Sequence, residues 1–302
     1  MNLRQLHYFV AVAEELHFGR AAQRVSISQP PLSQQILALE AELGVQLFVR
    51  TKRSVELSSV GRQWLPEVRR LLADAAGLAD KARQLGRGEV GELNLAFISS
   101  AGYGELPTLF QRFRKIHPHI RTILREATSN MQIDALLRKE IDVGIVFATQ
   151  SVEFPEPLIY RTLRREHLIA VIPEEWLKSK RCRLKHGKID FATVSQEPLI
   201  IFPRQSAPSF YDCIIDYYAT QGNLPIFGQE AIQMQTIISL VSAGIGIALV
   251  PESLRNLQRT GVAYCELSPS TPIIESGLLW RKDLISPALE GLLAVAWQER
   301  SL

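Results

Sequence analysis

The chain has 302 residues, 46% of them hydrophobic and 22% charged, with a formal net charge of +3. That composition suits a folded protein of two or more units and excludes a disordered chain. The charge is uneven: residues 1 to 88 hold 12 Lys and Arg against 8 Asp and Glu, the remainder 22 against 23, so the positive surplus lies at the N-terminal end.

Three widely spaced cysteines, Cys182, Cys213 and Cys265, form no CxxC or metal-ligand spacing. They suggest neither a disulfide framework nor a zinc site, and a reducing cytoplasm suits them. The opening run MNLRQLHYFVAVAEEL is amphipathic with acidic residues, unlike a secretory signal. The longest apolar region, Ile237 to Pro251, is short for a membrane span and is interrupted by Ser239, Ser242 and two glycines, so no membrane contact is expected.

Leu6, Phe9, Val10, Ala13 and Leu16 predict a first helix. Phe18, Ala21, Ala22 and Val25 predict a second, whose two alanines allow close approach of a neighbour, and Ser26 to Ser28 form a turn. A third helix follows, with Leu32, Ile36, Leu39 and Leu43 stacked on one face at steps of four, three and four. Ser28 stands at its N-cap, and Pro30 and Pro31 sit in the first turn, where no intrahelical N–H bond is lost. Pro30, Gln34, Ala38 and Ala41 fall on the opposite face, Ser33 on its flank and Gln29 at its start.

Two short helices joined by a tight turn, the second offering Gln and Ser near its start, match a helix-turn-helix that reads the DNA major groove. The period alone fits an ordinary helical hairpin with solvated polar residues equally well. The stretch QLFVRTKRSVELS then predicts two short strands around a basic tip with Arg50, Lys52 and Arg53, read either as a phosphate-contacting wing or as a solvated turn.

The fuller pattern resolves the first ambiguity. Ala21-Ala22, Ser26-x-Ser28-Gln29-Pro30-x-Leu32-Ser33-x-Gln35-Ile36, Leu39-Glu40, Leu43-Gly44 and Leu47-Phe48-x-Arg50 together resemble a LysR-type transcriptional regulator, gap-free over about the first sixty-five residues. The resemblance implies an N-terminal all-α winged helix-turn-helix (1–58), a long linker and dimerisation helix (59–88), and a C-terminal α/β effector domain (89–302) of the two-lobed, periplasmic-binding-protein-like kind. Lobe I is expected at 89–162 and 269–302 and lobe II at 163–268, with the hinge near 162 and 268. Implied partners are double-stranded operator DNA, a small carboxylate effector, RNA polymerase and further copies of the chain, as a homodimer through the linker and a homotetramer beyond it.

From Ser59 to about Gly86 the composition is helical, and Leu65, Val68, Leu72, Ala75, Ala79 and Ala82 follow alternating steps of three and four. That seam suits pairing with a second copy or packing on the chain's own core, with a kink expected at Pro66. Gly86 to Gly91 breaks the helix. Strand and helix patterns then alternate (ELNLAFI, IRTILREA, DVGIVF, HLIAVI, PLIIF, IFGQE, IGIALVP), predicting an α/β layout with a largely parallel sheet, closed by IIESGLLW and a final helix.

Ligands in open α/β folds bind beyond strand C-termini, beside helix N-termini. Ser99, Ser100, Thr128, Pro203, Arg204 and Gln205 stand at such strand ends, as ligand contacts or as simple helix caps. The stretches YGELP and Pro203-Arg204-Gln205-Ser206 resemble family members that sense muconate-type or aromatic catabolites, although some of those carry an arginine where this chain has Phe147. No cysteine lies between Pro198 and Pro208, which disfavours a disulfide redox sensor.

Gly244-Ile245-Gly246 precedes a strand, so it predicts a turn and no dinucleotide fingerprint. His117 and His119 have no third ligand nearby, and neither a metal nor another cofactor is expected. No G-x-S-x-G, H-E-x-x-H or Walker A sequence supports an enzyme. A solute-binding protein would explain two lobes and leave the first ninety residues unexplained; a hydrolase or transferase would need a nucleophile in the cleft. The expected DNA contacts are Gln29, Pro30, Ser33 and Gln34 at the bases and Arg50 and Arg53 at the backbone.

Overall fold

The computed structural model describes residues 1–51, 54–149 and 153–297. They divide into two compact units, Met1–Gln84 and Leu85–Leu302. Among the described residues no helix is long and apolar enough to cross a membrane.

The first unit holds α1 (Leu3–Glu15), α2 (Phe18–Arg24), α3 (Gln29–Leu43), β1 (Phe48–Arg50), β2 (Val55–Leu57) and most of α4 (Ser59–Gly86). A capping box opens α1: Asn2 Oδ1 accepts the Gln5 N–H at 2.9 Å, and Gln5 Oε1 accepts the Asn2 N–H at 3.1 Å. Leu16 departs from its expected core role. It ends α1 in the left-handed region, at φ 47°, and is exposed. His17 caps α2 through Nδ1, which accepts from the Gly19 and Arg20 N–H groups.

Leu32, Ile36 and Leu39 are fully buried, each contributing about 1.5–3 kcal/mol of burial energy. They close a core with Leu6, Phe9, Val12, Phe18 and Phe48. Glu14 joins three helices, accepting from Arg24 of α2 and Arg69 of α4, each at 2.6 Å. The Arg69 hydrogen bond, with help from Arg24, holds its carboxyl below the usual range.

In α4, Val68 is buried in this same core, with Leu65 and Leu72 packed against it. The first half of the expected seam is therefore spent inside the chain. A different stripe, Leu71, Leu78 and Leu85, stays exposed at seven-residue spacing. The helix runs through Pro66 without interruption.

The second unit comprises β3 (Gly91–Phe97), a 3-10 turn (Ser99–Tyr103), α5 (Leu106–Ile116), β4 (Ile120–Glu126), α6 (Ser129–Leu137), β5 (Val143–Ala148), β6 (Leu158–Pro173), α7 (Glu174–Lys178), β7 (Leu184–Lys185), β8 (Lys188–Asp190) and α8 (Phe191–Val194). There follow β9 (Pro198–Ile201), α9 (Pro208–Thr220), β10 (Ile226–Glu230), α10 (Met234–Ser242), β11 (Ala248–Pro251), a second 3-10 turn (Glu252–Leu257), β12 (Val262–Ser268), β13 (Ile273–Arg281) and α11 (Pro287–Trp297).

The main sheet runs β4-β3-β5-β13-β6-β12-β8-β7, with β11 also paired to β6. It is mixed, where a largely parallel sheet was expected. β3 is parallel to β4 and β5, whereas β13 is antiparallel to β5 and β6. Through His167, β6 pairs with β13; from Leu168 it pairs with β11 and β12. The first crossover thus falls at His167–Leu168, beyond the expected position near 162. Gly244-Ile245-Gly246 does form the turn before β11, and a Cβ on Gly246 would lie 2.2 Å from the Pro198 carbonyl oxygen, so only glycine fits.

Candidate functional site

Two surfaces carry the chemistry expected from the sequence, one in each unit. On α3, the buried leucine and isoleucine face leaves Gln29, Pro30, Gln34 and Ala38 exposed and Ser33 half-buried. Ser28 occupies the N-cap with extended backbone, and its side chain makes no capping bond. Gln35 and Leu37 are also exposed, Leu37 by 53%, and the face is wider than the residues singled out by periodicity. No acidic residue stands in the first turn of α3. Its N-terminal end thus offers side-chain amides and a hydroxyl to a hydrogen-bonding partner, while Pro30 and Pro31 contribute no backbone N–H.

Arg50 is placed differently from a free backbone contact. Its Nη2 donates to Glu40 Oε2 at 2.8 Å, and its guanidinium lies 4.8 Å from the centre of the Phe18 ring. Glu40 Oε1 also accepts the Leu47 and Phe48 N–H groups, at 2.8 and 3.0 Å. One partly buried carboxylate thus fixes the β1–β2 hairpin to α3, with Arg50 as its counter-ion. Arg53 and Lys52 lie outside the described residues.

In the second unit, the strand-end rule leads to a cleft of ≈ 280 Å³ between the lobes. Ser99, Ser100 and Thr128 line it. Pro203, Arg204 and Gln205 do not. After β9 the chain turns, with the Ser206 N–H bonding the Pro203 carbonyl at 2.9 Å, and this carries the wall onto Ser206–Phe210. Arg204 faces solvent in a bidentate pair with Asp212, at 2.8 and 3.0 Å, and that hydrogen bond holds the Asp212 carboxyl below its usual range.

Sequence reading also missed Gln233 and Met234, which follow β10 by the same strand-end rule, and the aromatic wall. Phe147, noted only as standing where others carry arginine, meets Phe210 edge-on with ring centres 5.1 Å apart; Phe202 meets Phe210 at 5.8 Å.

The polar side of the cleft is built from helix ends. Thr128, Ala207 and Gln233 are the N-caps of α6, α9 and α10, all three line the cavity, and none makes a side-chain capping bond. Ser129 Oγ is already occupied, accepting the Phe147 N–H at 3.0 Å. Three positive helix ends, each equivalent to about half an elementary charge, therefore meet an apolar cavity. Among the described residues the lining contains no Lys, Arg or His, and its one charged residue is Glu126.

The lobes are tied where the Ser99–Tyr103 turn leaves the cleft: Asn256 Nδ2 donates to the Tyr103 carbonyl at 2.7 Å, and Gln235 Nε2 donates to the Tyr103 hydroxyl at 2.6 Å. Beside this contact Ser276 Oγ donates to the Glu105 carboxylate at 2.6 Å, and burial pushes the Glu105 carboxyl up, with Glu166 adding repulsion. Burial also pushes the Cys213 and Cys265 thiols up to about 11, so at neutral pH they carry little of the reactive thiolate. Among the described residues no group of three or more His, Cys, Asp or Glu side chains could hold a metal ion.

Comparison with known proteins bears on both surfaces. Residues 3–62 match the model of the bacterial regulatory helix-turn-helix protein, lysR family, and residues 86–301 match that of the LysR substrate binding domain. The chain is 48% identical over 301 residues to the HTH-type transcriptional regulator IlvR of Caulobacter vibrioides, covering 100% of this chain and 99% of that protein. It is 36% identical to the HTH-type transcriptional regulator AlsR of Bacillus subtilis, over 98% of this chain and 95% of the other. Among solved structures it superposes on full-length CbnR complexed with its target DNA, with a TM-score of 0.72, 28% identity and 99% coverage of both chains.

Proposed function

The chain belongs to the LysR family of DNA-binding transcriptional regulators, and from that premise we propose that it reads its operator with α3 and answers to a small monocarboxylate with an apolar, preferably aromatic, body. In this reading Gln34 makes a bidentate contact to adenine, donating to N7 and accepting from the N6 amino group, while Gln29, Pro30 and Ser33 shape the neighbouring steps. Arg50 acts indirectly, holding the hairpin to α3 through Glu40, and Arg53 supplies a phosphate contact.

The observation that carries the effector class is the meeting of three uncapped helix N-termini with an aromatic cavity that has no basic side chain among the described residues. Backbone N–H groups and the Ser99, Ser100 and Thr128 hydroxyls hold one carboxylate, and Phe147, Phe202 and Phe210 pack the body. A second carboxylate would find no cation among the described lining residues, and Glu126 disfavours it. Effector binding between the lobes then favours one lobe arrangement over another by its differential affinity, and that equilibrium is read out on DNA. The exposed Leu71, Leu78 and Leu85 stripe of α4 serves as the seam with a second copy, which places two α3 helices on two half-sites.

The test is binding of the full chain to the intergenic DNA beside its own gene, across a salt series, with and without benzoate and with and without cis,cis-muconate. A preference over random DNA that shifts with benzoate and less with muconate is the expected result. A shift with muconate alone rejects the monocarboxylate assignment, and no shift with either rejects the aromatic acid class.

A further inference from the structure

From Lys178 to Lys188 the chain carries six Lys and Arg and no Asp or Glu. No part of the operator-reading or effector-binding account uses this segment. It lies in the second unit, on the C-terminal end of α7 and the β7–β8 hairpin, and β7 is the outer strand of the main sheet. A lysine or two is enough to keep an edge strand from pairing with another chain. Six cations without an acid exceed that need.

The segment is built to hold its charges in place. Cys182 and Ile189 are buried, and the Cys182 N–H donates to the Trp176 carbonyl at 2.9 Å. The two-residue turn at His186–Gly187 has φ of 52° and 78°, the left-handed pair that a tight hairpin requires and that glycine favours. It sets Lys185 directly across from Lys188. Like charges in that position repel, and Glu266 neutralises only the Lys188 side of the pair, at 3.2 Å.

Some of the cations have partners within the fold. Arg181 stacks on Trp176 and pairs with Glu197, Lys178 pairs with Glu174, and Lys188 pairs with Glu266. Lys180 and Arg183 are exposed and have no ionic partner among the described residues. Lys185 has a side chain 78% exposed and reaches Asp190 only at 4.0 Å.

We propose that this hairpin is a second DNA-contacting surface, in which Lys180, Arg183 and Lys185 engage the phosphates of duplex DNA outside the half-sites read by α3. The cations occur without exposed aromatic rings, so they suit backbone charge and carry no base readout. Such a contact lengthens the footprint and raises affinity without altering sequence preference.

The experiment compares the full chain with K180Q/R183Q/K185Q on two duplexes, the long intergenic fragment beside its own gene and the same fragment trimmed to the half-sites. On the long duplex the slope of log affinity against log salt should fall by roughly 0.9 for each cation removed, and nuclease protection should shorten. On the trimmed duplex the two proteins should bind alike, and the charge-conserving K180R/R183K/K185R should behave as the unaltered chain on both. R183Q alone, giving about one such step, serves if the triple variant unfolds. An unchanged slope and footprint on the long duplex overturns the proposal. The same result accompanied by loss of RNA polymerase recruitment also overturns it, and reassigns the hairpin to an acidic protein surface.

Discussion

On α3, the outward residues from Gln29 to Ala38 are successive turns of one helix, whereas the cleft draws its walls from separate segments between Ile98 and Pro251. The helix face is convex and presents side-chain amides and a hydroxyl. The cleft is concave and presents backbone N–H groups at helix ends behind aromatic rings. DNA carries its charge on the outside of a large rigid body, so a protruding element must reach into its groove. A small acid offers little surface, and binding it means surrounding it. The first site can therefore be changed by one residue at a time, while the second depends on segments held in register by the sheet.

The comparison breaks most severely with Phe9→Ala. Phe9 is fully buried, its ring 5.0 Å from Trp64 and 5.5 Å from Phe48, and its truncation should cost about 3–5 kcal/mol. DNA binding should be lost while the second unit still melts as before in calorimetry. A matching loss in the second transition would show that the units do not fold independently.

Gln34→Ala should leave folding intact and relax base preference at one position by about 1–3 kcal/mol, roughly 5- to 150-fold. A binding selection over randomised operators measures it, and a uniform loss at all sequences would instead make Gln34 a backbone contact. Thr128→Val, in the cleft, should weaken benzoate by about 0.5–1.5 kcal/mol without altering DNA affinity in its absence. Titration calorimetry reads the first quantity and a gel shift the second; unchanged benzoate affinity would remove Thr128 from the effector contacts.

Arg50→Ala sharpens the contrast between reading and holding. Its half-exposed pair with Glu40 is worth about 0.2–1 kcal/mol, so the first unit should melt slightly lower and the salt slope of DNA binding should barely move. A full step in the slope would make it a phosphate contact after all.

The smallest effect belongs to Glu105. Burial raises its carboxyl pKa above the unfolded value of 4.5, so the native chain holds that proton more tightly and loses stability as pH climbs through the raised value. Glu105→Gln should therefore raise the melting temperature at neutral pH, with the gain vanishing below the ordinary carboxylate range. A gain independent of pH would point to packing as its source.

Local periodicity made the first unit legible. A stripe at helical spacing, a cap and two prolines define α3 and its free face without reference to distant residues. The sequence left Glu40 looking like one more helix-surface charge, because its partners, the Leu47 and Phe48 N–H groups and Arg50, are brought to it only when the hairpin folds back. The α4 seam stayed open between its two readings for the same reason. Val68 and Leu71 are equally apolar on paper, and only the position of the helix against the core around Phe9 and Phe48 decides which one is buried.

In the second unit, the amino-acid order by itself determined that strands end beside helix N-termini, and this was enough to place Ser99, Ser100 and Thr128. Tertiary structure decided the rest. The length of the turn after β9 moved the cleft wall from Pro203–Gln205 to Ser206–Phe210, and the packing of the two lobes brought Phe147 opposite Phe210. Short-range rules of helix and strand follow from steric and hydrogen-bonding preferences within a few residues. Which ends converge on one cavity is set by sheet order and crossover, and those emerge only when the whole core packs.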